Sequence, residues 1–479
     1  MAFRGYRQFD LPLWGSHVAH EHYSWLPFSS DLKFPLLRAA LEQKMMAGAK
    51  IIINESGNWF LQTTKAVDSP LFELPRVETG SIRDRDPYKV APYVAEAEKG
   101  YCKIDYHSPY ARAYRKVISD FYDEIVKQGA PKGQPEVTIA LAKGNGDLCA
   151  QEFHPNAPIA GMYTLADRDR RWMAGPPERG WEIARNLFFP RPEVLAPYPN
   201  RFLSGTPYGM VDIVTLAEDT LSAEFLSTHY KALLLTGWNT ATEYQYEQFC
   251  AFVEQGGTLF IAIPHLSTDV TRNYANYTVD DLLYKGDFSR LCGVRVRGKG
   301  KRFYWATAPD SRNTLGFSFP RRFGTMMTCL GELEFVDSNY EVLVVEDEEM
   351  EPLLIHRRVG KGGVYFLNSW AYPGALECDI GPGATLDSPG LIGMLFRHLA
   401  ERFRGSTWIT DEGRSAGPEC QYISHAYFPE DGTVCLQNID FRKPHRFFFH
   451  DASGRVEAME LAPAQFLRFQ RSLKDCAVA

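Results

Sequence analysis

The chain has 479 residues, too many for one hydrophobic core, so two or three domains are expected. Hydrophobic residues make up 45% and charged residues 23%, an ordinary globular composition, and a net charge of -7 with no dense basic cluster gives no electrostatic case for nucleic acid. Nine cysteines without a C-x-x-C pair point to reduced, buried thiols and not to a disulfide framework.

The opening MAFRGYRQFD has no apolar signal-peptide core, and no run approaches the roughly 18 apolar residues of a membrane span. A cytoplasmic protein without membrane contact is the expectation. Residues 1–195 read as strand–helix units. LPLWGSHVAHEHY is a strand entering a loop. DLKFPLLRAALEQKMMAGA is a helix, with apolar residues at Leu36, Leu37, Ala40, Leu41 and Met45, that ends at Gly48. KIIIN then returns as a continuous apolar strand of the kind buried on both faces. SPYARAYRKVISDFYDEIVKQG is a second helix, with Ser108 as cap and Pro109 in its first turn, and PEVTIALAKGNGD is a third strand. The alternation implies parallel pairing in a partial β/α-barrel-like region.

Residues 196–408 read as a doubly wound α/β domain. PYGMVDIV, YKALLLTGWN and TLFIAIPHL are its strands, TATEYQYEQFCAFVEQGG is a capped amphipathic helix, GKGGVYFLNSW is a hairpin-like return and SPGLIGMLFRHLAERF is a closing helix. Residues 409–479 shorten into ECQYISHAYF, GTVCLQNID, HRFFFHD, RVEAMELA and AQFLRFQRS, a small all-β, sandwich-like domain.

Three places could carry chemistry. Glu55 follows the Ile51–Ile53 run at a strand's C-terminal end, the face where β/α barrels hold catalytic groups, with Trp59 beside it as a pocket wall. A merely solvated loop carboxylate is the plainer reading. GSHVAHEHYSW concentrates His20, Glu21, His22, Tyr23 and Trp25 after a strand. His20 and His22 alternate onto one side of an extended chain, which suits two ligands of one metal. Glu21 can instead face Glu55 across adjacent strand ends, and histidines hydrogen-bonded within a loop remain the bland alternative. In ALAKGNGDLC the glycines match no phosphate-loop pattern, so turn chemistry accounts for them, and Asp147 is left as a pocket candidate. No G-x-C-x-G or G-x-S-x-G occurs, so no nucleophile elbow is available, and TLFIAIPHLST reaches Pro264-His265 with no Cys.

The order of parts resembles that of the family 42 β-galactosidases and their relatives. The segments RFLSGTPYGMVDIV, LLLTGWNTATEYQYEQFCAFVEQGGTLFIAIPHLST and GKGGVYFLNSWAYPG look like the amidotransferase-like domain of such enzymes, here without its catalytic Cys. HVAHEHYSW and IIINESGNWF look like late barrel strands. The resemblance implies a glycosidase acting on a β-linked sugar, with Glu55 as nucleophile if its strand is the seventh of the barrel. Glu21 is the available acid/base, and His20, His22, Tyr23, Trp25, Trp59 and Asp147 are the substrate contacts. It implies no cofactor and no metal, a carbohydrate substrate as partner, and a homo-oligomer of trimeric type. Fewer than 200 residues precede the second domain, whereas a full barrel takes about 250, so the barrel is expected to be incomplete and its usual acid/base Glu missing. Two other classes stay open: a non-catalytic sugar-binding or assembly protein with an inactive barrel remnant, and a metal-dependent hydrolase built on His20 and His22.

Overall fold

The structure, a computed structural model, describes residues 5–9, 13–18, 33–54, 109–145, 147, 176–189, 206–216, 220–269, 276–308, 323–377, 390–411 and 416–471. Its centre is a ten-stranded sheet with helices on both faces, a mixed α/β fold dominated by one large, parallel-rich sheet.

Chain alternation explains the parallel half. Five parallel strands lie side by side in the order β4 (Met210–Thr215), β3 (Val137–Lys143), β5 (Ala232–Leu235), β6 (Thr258–Ala262) and β12 (Gly362–Leu367). β5 and β6 are buried along their whole length, as runs covered on both faces must be. The helices Ala223–His229 and Glu243–Glu254 pack on one face through Leu226, Phe249, Phe252 and Val253. The helices Pro176–Phe188 and Leu391–Arg402 cover the other through Trp181, Leu187, Phe396 and Leu399. Ser222 and Thr242 cap the first two helices by accepting from the Phe225 and Gln245 N–H groups.

Beyond β12 the sheet turns antiparallel through β11 (Pro352–Val359), β10 (Tyr340–Glu346), β8 (Val294–Thr307) and β7 (Asp287–Phe288), with β9 (Phe323–Phe335) paired to β8. The β4 edge is closed by a side chain. The Gln8 amide accepts from Thr215 N–H at 3.0 Å and donates to the Thr215 carbonyl at 2.8 Å, as a neighbouring strand would.

One expectation is corrected here. Val137–Lys143, read from sequence as a third strand of the barrel-like region, lies between β4 and β5 in the large sheet. Its apolar run Ile139–Ala142 is buried on both faces, and the large sheet offers the cover that such a run requires.

The first region contributes a separate two-stranded sheet, β1 (Gly15–Val18) parallel to β2 (Ile51–Asn54), joined through the helix Lys33–Met46 and a turn at Gly48, whose φ of 87° favours glycine. The expectation that β2 is buried on both faces does not hold. Ile51 is 46% exposed and Ile53 is 58% exposed, because among the described residues β1 is the only strand paired with β2. A second long helix, Pro109–Gln128, packs on Lys33–Met46, and Arg38 joins the two by pairing with Glu42 and Glu124.

Residues 407–470 form two three-stranded antiparallel sheets, β13 (Thr407–Thr410), β16 (His445–Asp451) and β17 (Val456–Leu461) against β14 (Ile423–Phe428), β15 (Thr433–Asn438) and β18 (Phe466–Gln470). They share a core of Ile409, Ile423, Leu436, Phe447 and Phe449. The helix Lys33–Met46 docks on this unit, where Gln437 Nε2 donates to Glu42 Oε2 at 2.6 Å and Gln43 Nε2 donates to Ser424 Oγ at 2.9 Å. Among the described residues no helix is long and apolar enough to cross a membrane.

Candidate functional site

Topology nominates the first location. The chain passes from β3 to β4 on one side and then to β5 on the other, so the carboxyl ends of β3 and β5 flank the point where strand order reverses. In open α/β sheets that crevice is where ligands bind. Here the chain fills it. Asp147, four residues beyond the end of β3, is buried, and its Oδ2 accepts from Gly144 N–H and Trp181 Nε1–H, each at 2.9 Å. Its Oδ1 accepts from Trp238 N–H at 2.7 Å. Burial raises the Asp147 pKa to about 6, against the pull of these N–H donors and of the Lys143 charge.

Beside it, Asn145 stitches the β3 loop to the β5 loop. Its Nδ2 donates to Thr240 Oγ1 at 2.6 Å and its Oδ1 accepts from Thr240 N–H at 2.8 Å. Two glycines permit the closeness. A Cβ on Gly237 would lie 2.2 Å from Asp147 Oδ1 and 2.3 Å from Trp181 Nε1, and one on Gly144 would lie 2.2 Å from the Trp238 carbonyl oxygen.

Two other ionisable groups packed on the large sheet are held neutral by burial. His265 is fully buried after β6, takes a hydrogen bond from Ala262 N–H on Nδ1 at 2.9 Å, and packs edge-on against Tyr372. Burial lowers its pKa to about 3, so it is a weak base at neutral pH. The Cys250 thiol, on the helix Glu243–Glu254, is pushed up to about 12 by burial, which suppresses the thiolate a nucleophile needs. Among the described residues no group of three or more His, Cys, Asp or Glu could hold a metal ion.

Asp147, expected as a substrate contact, is buried, and its carboxylate accepts from three N–H donors of its own chain. Trp181 and Trp238, which hold it, went unrecognised in the sequence. The available signal was the Gly-Trp pair at the end of YKALLLTGWN, a glycine where backbone must pass close to a neighbour.

The second location is the end of the two-stranded sheet. β1 and β2 run in parallel register, Gly15 opposite Ile51 and Val18 opposite Asn54, so the chain leaves both strands at one edge. Glu55 is the next residue after Asn54 and Glu21 is the third after Val18. Lys50 N–H donates to the Trp14 carbonyl at 3.1 Å, which fixes where β2 begins against β1. Glu21, Glu55, His20, His22, Tyr23, Trp25 and Trp59 lie outside the described residues.

No family model and no curated protein matches this chain. Solved structures do. A β-galactosidase from Bacillus circulans sp. alkalophilus is 11% identical, over 94% of this chain and 54% of its own, with a TM-score of 0.48. A catalytic mutant of a GH42 β-galactosidase from G. stearothermophilus is 12% identical, over 91% of this chain and 51% of its own, with a TM-score of 0.46. An α-L-fucosidase from Paenibacillus thiaminolyticus is 13% identical, over 91% of this chain and 56% of its own, with a TM-score of 0.44. The chain spans about half the length of these proteins. At such scores the likeness decides neither family nor chemistry.

Proposed function

We propose that this chain is a glycoside hydrolase-like protein that cleaves a β-linked glycoside with two carboxylates, Glu55 as nucleophile and Glu21 as acid/base. The observation that carries the reading is the parallel register of β1 and β2, with Val18 opposite Asn54. It starts the two carboxylate-bearing segments from one edge. Neighbouring strands stand about 4.8 Å apart, and the carboxyl groups of retaining glycosidases stand about 5 Å apart.

In this reading the Glu55 carboxylate attacks the anomeric carbon while Glu21 gives its proton to the leaving oxygen. A glycosyl ester forms and the glycosidic bond breaks. Glu21, now a base, takes a proton from water, whose oxygen displaces Glu55 and frees the sugar. Trp25, Trp59 and Tyr23 stack on sugar rings, and His20 and His22 hydrogen-bond hydroxyls. The doubly wound sheet is an amidotransferase-like scaffold without a nucleophile, and self-association into a homo-oligomer belongs to the same reading.

The test is hydrolysis of a panel of aryl glycosides by the wild type and by Glu55→Gln, with folding matched by circular dichroism. Wild-type turnover that collapses in the variant supports the assignment. Equal turnover in both removes Glu55 from the mechanism, and saccharide binding without turnover in either replaces hydrolysis by recognition.

A further inference from the structure

The joint between the ten-stranded sheet and the C-terminal β unit borders a small, partly open space lined in part by Glu136, Thr138, Gly209, Gly405, Thr407 and His425. It has room for one water-sized molecule. The imidazole of His425, on β14, is buried, with Nε2 2.7 Å from Thr407 Oγ1 and no protein partner on Nδ1. Nδ1 points toward Gly209, where a Cβ would lie 3.5 Å from it. Across the joint, the Glu136 carboxylate accepts from Ser406 N–H at 2.6 Å on one oxygen and from Ser406 Oγ at 2.8 Å on the other, which leaves each oxygen a further lone pair. A Cβ on Gly405 would lie 2.5 Å from Glu136 Oε2, so the two glycines keep side chains out of this space.

We propose that one water molecule is bound here as a structural part of the joint, donating one hydrogen to His425 Nδ1 and the other to the Glu136 carboxylate. A carboxylate only accepts, so the water donates to it. In the proposed arrangement its second hydrogen goes to Nδ1, which places the imidazole proton on Nε2, from where it is donated to Thr407 Oγ1. A buried ring nitrogen without a partner is disfavoured, and a bridging water removes that cost at a polar site of the right size. The water bridges strand β14 to the residue that leads into β3, in parallel with the hydrogen bond from Glu136 N–H to the Tyr427 carbonyl at 2.7 Å.

Two measurements on the full chain test this: a crystal structure at a resolution that shows ordered water, and nitrogen NMR of histidine-labelled protein. The expected result is a solvent peak within hydrogen-bond reach of both His425 Nδ1 and a Glu136 oxygen, with His425 protonated on Nε2. His425→Phe should lose the peak, and His425→Gln, which keeps an acceptor, should retain it. A dry or collapsed joint in the wild type, a proton on Nδ1, or an undiminished peak in His425→Phe would each overturn the proposal. If His425→Phe fails to fold, the wild-type tautomer and solvent peak decide alone.

Discussion

The carboxyl ends of β3 and β5 and the carboxyl ends of β1 and β2 are two versions of one architectural opportunity. In both, parallel strands deliver backbone to a common edge, where loops can place side chains together. At the first, Asp147 takes three N–H donors, Asn145 and Thr240 pair across the loops, and glycines at 144 and 237 let backbone and side chains close the remaining space. At the second, β1 is the only strand paired with β2 among the described residues, and Ile51 and Ile53 are exposed there. A fold suited to ligand binding does not bind by that fact, because side chains decide whether the crevice is open.

The largest effect should come from the end of the two-stranded sheet. Glu55→Gln is expected to lower aryl glycoside turnover by about a thousandfold or more with unchanged melting temperature. A variant as active as wild type would end the distinction between the two edges. Next is Asp147→Ala, which leaves the Gly144, Trp181 and Trp238 N–H groups without their acceptor. It should cost about 4 kcal/mol in urea unfolding while turnover per folded molecule stays within about twofold. Lost turnover at unchanged stability would make the crevice a working site.

The third test uses pH. Asp147 has its pKa raised to about 6, above the ordinary 3.8, so the folded protein holds its proton more tightly than the unfolded chain does. Stability from this group is therefore fully present below pH 3.8 and falls as pH rises to about 6, by roughly 3 kcal/mol. Unfolding of wild type and Asp147→Asn, compared from pH 4 to 7, should show this slope in the wild type alone, and parallel curves would refute it. The smallest effect is at the far edge of the large sheet. Gln8→Ala removes the amide that pairs with Thr215, and a loss of about 2 kcal/mol is expected. Faster hydrogen exchange at Met210–Thr215 is the measurement that localises it.

Much of the element content was legible locally. The helices Lys33–Met46, Pro109–Gln128, Glu243–Glu254 and Leu391–Arg402 follow from 3.6-residue spacing and end signals such as Thr242 before the first turn and Gly129 after the last. β8 is not marked as a strand by its local sequence. VRVRGKGKRFYWAT alternates, but its lysines and glycines disguise a long ribbon whose stability comes from pairing with β9 and from ion pairs such as Arg295 with Asp287 and Glu334. Glu55 could be nominated because it follows an apolar strand, a signal that needs no partner to be seen.

By itself the sequence determined the secondary structure of most segments, the lack of a nucleophile elbow and the identity of the candidate carboxylates, because each depends on residues within a few positions of one another. Only the tertiary structure decided that β3 belongs to the large sheet, that β1 and β2 share an edge, and that Asp147 is enclosed. Trp181 and Trp238 lie 34 and 91 residues from Asp147 along the chain. Whether a carboxylate faces substrate or its own backbone depends on which donors packing brings within 3 Å of it, and local spacing carries no record of that.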